Sequence, residues 1–264
     1  MKPFRVCSIG LSFALAMAVN SGAGAGPDIS GTYWAPSYSH KIQVLGDVEP
    51  PLNAAGKVAY AMNQAGLKDG SIVDKARRVC VPDGVPRVLA TPYPFEIFQV
   101  PADQVTFLYE MNHQVRVVVM DKPLPSRQTL IVDPKYNGHS TGHWDGDTLV
   151  VESSGYDDRT WVDPYGSIHS DQMRLEERYT RLDHDTLEFS LTLTDPKAYV
   201  GVWGGRKLKL KLMNSSQQIQ KGLWGKRPDG TAYGDIREEY CVYSIEHSFW
   251  QGRPLDGVGG GNKK

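Results

Sequence analysis

From Phe95 to Leu212 apolar residues recur at every second position in run after run, and that period dictates strands. Leu187, Phe189, Leu191 and Leu193 alternate with Glu188, Ser190, Thr192 and Thr194. Successive side chains of a strand point to opposite faces, so such a run has one apolar face to bury and one polar face to leave in water. Val105, Phe107 and Tyr109 follow the same rule, as do Leu208, Leu210 and Leu212 between Lys207, Lys209 and Lys211. Residues 111–114 predict a turn into a strand over 115–120. Asp145-Gly146 predicts a tight hairpin into a strand over 148–152. Asp183-His184-Asp185 joins predicted strands over 173–182 and 186–194. Many antiparallel strands on short turns make a barrel or a sandwich, and closure removes exposed edges.

The N-terminal part differs. Residues 28–40 read as an extended start, and Pro50 and Pro51 break it. Leu52, Ala55, Val58, Ala59 and Met62 then recur at helical spacing, with Asn53 to cap the start and Gly66 to end it. Residues 67–94 are loop-like, residues 236–243 predict a last strand, and the glycine-rich end predicts a disordered tail over 257–264. The expected fold is all-β: an antiparallel lipocalin-like barrel of about eight to ten strands, with one short N-terminal helix and long loops. A β-sandwich is the alternative.

The first 25 residues read as a cleavable export signal. Lys2 and Arg5 give a positive start, residues 6–19 are apolar and uncharged, and Ala23-Gly24-Ala25 offers the small residues that signal peptidase reads. The apolar run is shorter than the roughly 20 residues of a membrane span. The expected product is a soluble single domain over 26–256, periplasmic or secreted, with no membrane span. Removing Lys2 and Arg5 from 29 basic residues leaves 27 against 30 acidic ones. That scattered, slightly negative balance excludes a nucleic-acid-binding face. Cleavage also removes Cys7, leaving Cys80 and Cys241. In an oxidising compartment such a pair reads as one disulfide, worth roughly 5 kcal/mol in the chain-entropy account. Two separate buried thiols are the alternative.

The stretch from Tyr136 to Tyr179 carries Gly142, Trp144, Gly146, Asp147 and Thr148, then Trp161, Gly166, His169 and Ser170, then Glu177, Arg178 and Tyr179. It resembles a large family of exported bacterial proteins sharing a Gly-x-Trp-[Asp/Glu]-Gly-Asp-Thr-Leu-Val-Val-Glu core. Cys80, Pro82 and Gly84, and Glu96, Ile97 and Gln99, extend the likeness. The resemblance implies an exported domain of lipocalin-like barrel type. It implies no catalytic role, because the family has no settled activity.

Candidate chemistry therefore comes from the residues. Met173, Leu175, Glu177 and Tyr179 share a strand face, so Glu177 points inward among apolar neighbours. A buried carboxylate is costly unless paired, and burial raises its pKa, as a general acid or base requires. Arg116, on the inward face with Val118 and Met120, is its natural partner, and a structural ion pair is the plainer reading. His139 and His169 are candidate general base and acid. His139 and His143 lie about 13 Å apart if the strand is straight, and no metal-ligand motif is present, so no metal is expected. Absent too are a Gly-x-Ser-x-Gly elbow and a phosphate-binding glycine loop, so no cofactor is expected. Trp144, Tyr156, Trp161 and Tyr136 offer aromatic walls for a small molecule, with core packing as the alternative.

Three functions fit these features. One is an enzyme doing acid–base chemistry (isomerisation, elimination or hydrolysis) on a small hydrophobic or aromatic substrate. His139, His169, Glu177 and Arg116 would form its machinery. The second is a non-catalytic periplasmic carrier of an apolar ligand in the barrel. The third is a structural module of the cell envelope, with no cavity. The density of polar residues around 136–179 favours the enzyme over a passive apolar cavity.

Overall fold

The computed structural model describes residues 26–34, 49–91, 93–100, 103–213 and Ile236. Among the described residues the predicted period becomes ten strands. They are β1 (Gly31–Trp34), β2 (Phe95–Phe98), β3 (Gln104–Tyr109), β4 (Gln114–Met120), β5 (His139–Asp145), β6 (Thr148–Ser154), β7 (Arg174–Asp183), β8 (Thr186–Thr194), β9 (Val202–Gly204) and β10 (Leu208–Leu212). Each pairs with the next from β1 to β9. β10 closes the sheet by pairing with both β8 and β1. The result is a nine-strand closed barrel. β9 lies outside the ring, sharing the free edge of β8 with β10.

Closure with nine strands has a consequence for direction. Every antiparallel contact reverses the chain, and a closed circuit needs an even number of reversals. An odd ring must therefore hold a parallel contact. The expected antiparallel barrel has one such contact: β4 runs parallel to β5, through Val118–Met120 and Ser140–Gly142. A parallel neighbour cannot be reached by a hairpin. The connection over 121–138 therefore crosses over, and it carries a short helix, α3 (Arg127–Val132), capped by Ser126.

Alternation decides what the barrel holds. Leu187, Phe189, Leu191 and Leu193 are all sealed inside, and so are Leu175, Glu177 and Tyr179 of β7. Gln114, Arg116, Val118 and Met120 of β4 face in, while Val115, Val117 and Val119 face out. Aromatic rings fill the interior. Tyr33, Phe95, Phe107, Tyr109, Tyr179 and Phe189 form one chain of contacts with centroids 4.8–6.4 Å apart. A barrel of this strand number is just wide enough for side chains to fill it.

The helical part departs from expectation in two ways. α1 (Ala54–Asp69) starts at its Asn53 cap but runs past Gly66 to a left-handed Gly70. Gly66 stays helical because Ile72 seats on it; a Cβ there would lie 2.5 Å from the Ile72 side chain. The segment over 67–94 is not all loop. It contains α2 (Lys75–Val79), capped by Asp74, and a 3-10 turn, Arg87–Ala90. Asp74 also takes a two-pronged hydrogen bond from Arg87 at 2.9 and 2.7 Å, and Asp83 pairs with the same guanidinium at 2.7 Å. The predicted signal, tail and last strand fall outside the described residues, apart from Ile236. Among the described residues no helix is long and apolar enough to cross a membrane.

Candidate functional site

Alternation alone puts Arg116 and Glu177 inside, and closure brings them together. Arg116 Nη2 and Nη1 donate to the two Glu177 oxygens at 2.7 and 3.0 Å. Its Nε donates to Ser140 Oγ at 2.9 Å, and Nη2 also donates to Ser153 Oγ at 2.5 Å. Tyr179 donates its hydroxyl to Glu177 at 2.6 Å. The Phe107 ring lies 5.7 Å from the guanidinium carbon. The two charged side chains are 1% and 0% exposed.

Burial would by itself lower the Arg116 pKa, but the Glu177 carboxylate reverses that and holds the guanidinium charged. Burial pushes the surrounding tyrosines the other way: Tyr109 rises to about 12, and Tyr156 and Tyr179 are raised as well. The Tyr109 and Tyr156 hydroxyls face this cluster, Tyr109 towards Arg116 and Tyr156 towards Ser153.

The wall beside the cluster is split. β4 and β5 pair at only three positions, and before Ser140 the chain over 135–139 diverges from the first half of β4. A cleft of about 700 Å³ opens there. Its floor is the outward face of β4, with Val115, Val117 and Val119, and prolines 82, 123 and 125 wall it. Tyr136, Asn137, His139, Lys122, Lys135 and His113 bring aromatic and polar groups, and Arg116 and Ser140 connect it to the buried cluster. The Asn137 side-chain oxygen is buried without a partner among the described residues. Among the described residues, three of the four non-glycine residues with left-handed backbone border this cleft: Asn112 and His113 in its lining, and Asp121 next to Lys122. Such conformations cost about 1–3 kcal/mol each and gather at functional sites.

His139 is on the outward face of β5, under the crossover. Its Nε2 lies 2.7 Å from the Asp133 carbonyl oxygen, at the end of α3. A carbonyl only accepts, so Nε2 carries the hydrogen and the neutral ring keeps its lone pair on Nδ1. Asp133 also brings its carboxylate to 3.6 Å of the same nitrogen.

His169 sits elsewhere. Its Nε2 shares a hydrogen bond of 3.0 Å with Thr160, and its ring meets Tyr156 edge-on at 6.1 Å. Burial lowers its pKa, against the opposing pull of the Ser170 carbonyl and Asp195, so the ring is neutral at pH 7. The same Tyr156 ring backs Gly138 of the cleft lining, where a Cβ would lie 2.8 Å away, while His169 is not among the residues lining the cleft. The predicted base and acid are therefore not brought to one place. The four aromatic residues are dispersed as well. Tyr136 lines the cleft beneath the Arg159 guanidinium, at 5.4 Å, and Tyr156 is in the core. Trp161 lines a smaller cavity of about 220 Å³ with Asp74 and Arg87, and Trp144 packs on the core over Gly26.

His143 is exposed on β5, and among the described residues no three histidine, cysteine, aspartate or glutamate side chains are grouped to hold a metal. Sequence reasoning missed the cleft itself, along with Asn137, Lys122, Lys135 and the β4 valines. The unbroken valines at 117–119 were the one available signal, since a strand with a solvated outer face alternates more strictly. No known family, curated protein or solved structure matches the chain.

Proposed function

We propose that this is an exported barrel that handles a small apolar or aromatic molecule in the cleft beside β4, and that His139 performs acid–base chemistry on it. One observation carries the reading: a histidine with its Nε2 hydrogen tied to the Asp133 carbonyl lines a cleft of about 700 Å³. An oriented imidazole with a free lone pair is what a general base requires. Asn137 supports it with a buried acceptor that no described residue fills. The aromatic-filled interior supports the side cleft over the lumen as the place for a ligand, and so the enzyme over a lumenal carrier.

Within this reading Arg116 and Glu177 are positioning residues. Their closed pair fixes Ser140, the neighbour of His139, and Ser153 on the next strand. His169 holds the loop over 157–170 to the core through Thr160 and Tyr156. The export signal over 1–25 and the Cys80–Cys241 bridge belong to the same proposal. Cys241 lies outside the described residues, and Cys80 is the left-handed cap of α2. A mass two hydrogens below the reduced chain, with a new start at Gly26, is the expected result for protein recovered from the periplasm.

The functional test is turnover of a panel of small aromatic and alicyclic compounds, followed by mass spectrometry. His139→Gln should lower the rate by about 100-fold or more, with His169→Gln leaving it within a few-fold. Binding without turnover would replace the enzyme by a carrier using the same cleft.

A further inference from the structure

The charged side chains that line the cleft share one sign. Among the described residues its charged lining side chains, Arg116, Lys122 and Lys135, are all basic, and the Asp133 carboxylate stands just outside the lining, 3.6 Å from Lys135 and from His139. The chain as a whole has a formal charge of −1, so this sign runs against the protein's balance. Arg116 is neutralised by Glu177 behind the wall, and Lys135 lies 3.6 Å from the exposed Asp133 carboxylate. That second pair is half in water and holds little. Lys122 stands at the rim, where its own carbonyl takes the Thr141 hydroxyl and anchors the crossover to β5.

Beneath the cations the surface is apolar. Val115, Val117 and Val119 are 57%, 44% and 43% exposed on neighbouring outward positions of β4. The prolines and the Tyr136 ring continue that surface. Low-dielectric walls under a rim of one sign concentrate the field on an ion that enters. A neutral hydrocarbon would use the floor and waste the rim. An inorganic anion would use the rim and leave the valines wet. A molecule carrying both an apolar ring-sized body and one negative group uses both.

From this charge distribution we infer that the ligand of the cleft is an amphipathic monoanion, with its body on the β4 valines and its anionic head at Lys122 and Lys135. This inference rests on the proposed use of the cleft and names the class of molecule it takes.

The test compares two dyes that share one ring system on the full-length protein. The anion 1-anilinonaphthalene-8-sulfonate carries a sulfonate that the neutral N-phenyl-1-naphthylamine lacks. The expected result is one-to-one binding of the anion, at least ten-fold tighter than the neutral dye. Lys122→Gln with Lys135→Gln should bring the ratio within two-fold, as should 0.5 M salt. Val117→Trp, at an exposed position, should fill the floor and abolish binding of both, with an unchanged circular dichroism spectrum. If the two dyes bind wild-type protein equally and both are lost in Val117→Trp, the anion inference falls while the cleft stands. If either dye binds and Val117→Trp leaves it unaffected, the cleft itself is wrong and both fall. Failure of the anion to bind wild-type protein also overturns the inference.

Discussion

An arginine and a glutamate inside an aromatic barrel are each costly alone, and their value lies in being together. The Arg116–Glu177 pair has two direct hydrogen bonds, with further bonds to Ser140, Ser153 and Tyr179 that satisfy the remaining groups. Removing one partner leaves the other charged and dry. Arg116→Met should therefore lower stability by about 3–5 kcal/mol in urea denaturation. Arg116→Met with Glu177→Leu should recover most of that loss, because no orphan charge remains. A double variant as unstable as the single one would show that the pair stabilises by more than neutralisation. His169 gives a second prediction, with a defined sign. Burial holds its folded pKa below the ordinary histidine value of 6.5, so the unfolded chain binds the proton first. Stability is complete above pH 6.5 and is lost as pH falls through that value towards the depressed folded pKa. The melting temperature of wild type should drop more between pH 7.5 and 5 than that of His169→Gln. Both buried residues were legible in part from sequence. Strand parity alone turns Glu177 and Arg116 inward. Ser140 and Ser153 were not legible, because only the β5–β6 register (Ser140 opposite Ser153) places them on the guanidinium.

At the scale of elements, the helix shows how a correct signal can name the wrong face. The apolar repeat that marks α1 includes Val58 and Met62, and each is 62% exposed. The docking face is instead Gly56, Asn63 and Gly66. Gly56 lets the helix backbone approach the Ala198 carbonyl, and Asn63 donates to Gly166 at 2.8 Å. Periodicity reveals a helix but not a contact made by the absence of a side chain. The competing effects at Gly56 can be weighed. Alanine in a helix interior is favoured over glycine by about 1 kcal/mol. A Cβ at 56 would lie 2.2 Å from the Ala198 oxygen, and that oxygen is backbone. Since the backbone cannot yield cheaply, Gly56→Ala should lower the melting temperature despite the better propensity. A rise would mean that α1 is held loosely. The helices that were missed, α2 and α3, span only five and six residues. Runs that short show no helical period, and their Asp74 and Ser126 caps are the only local sign.

Across the whole molecule, ring parity, the cleft and the crossover are one feature. Nine strands force a parallel contact, a parallel contact forces a crossover, and the crossover over 121–138 roofs the cleft. The sequence pattern announces a barrel and its hairpins, but strand number and closure are properties of the circuit. No local run of residues carries them, so neither the parallel seam nor the cleft beside it could be read in advance. The seam should also be the weakest line in the wall. β4 and β5 are joined at three positions, whereas β5–β6 and β6–β7 are each joined at seven. Parallel pairs are also slightly less stable per residue. Local opening follows the segments with the fewest protected hydrogen bonds. Backbone hydrogen exchange followed by mass spectrometry should therefore find residues 135–142 exchanging before 148–154 and 174–182. An amphipathic anion in the cleft spans both sides of that seam, so adding 1-anilinonaphthalene-8-sulfonate should slow exchange at 135–142 and leave 174–182 unchanged. Equal protection of all three segments in the free protein would mean that the crossover, through Thr141 and the Asp133–His139 contact, locks the seam as firmly as a full ladder does.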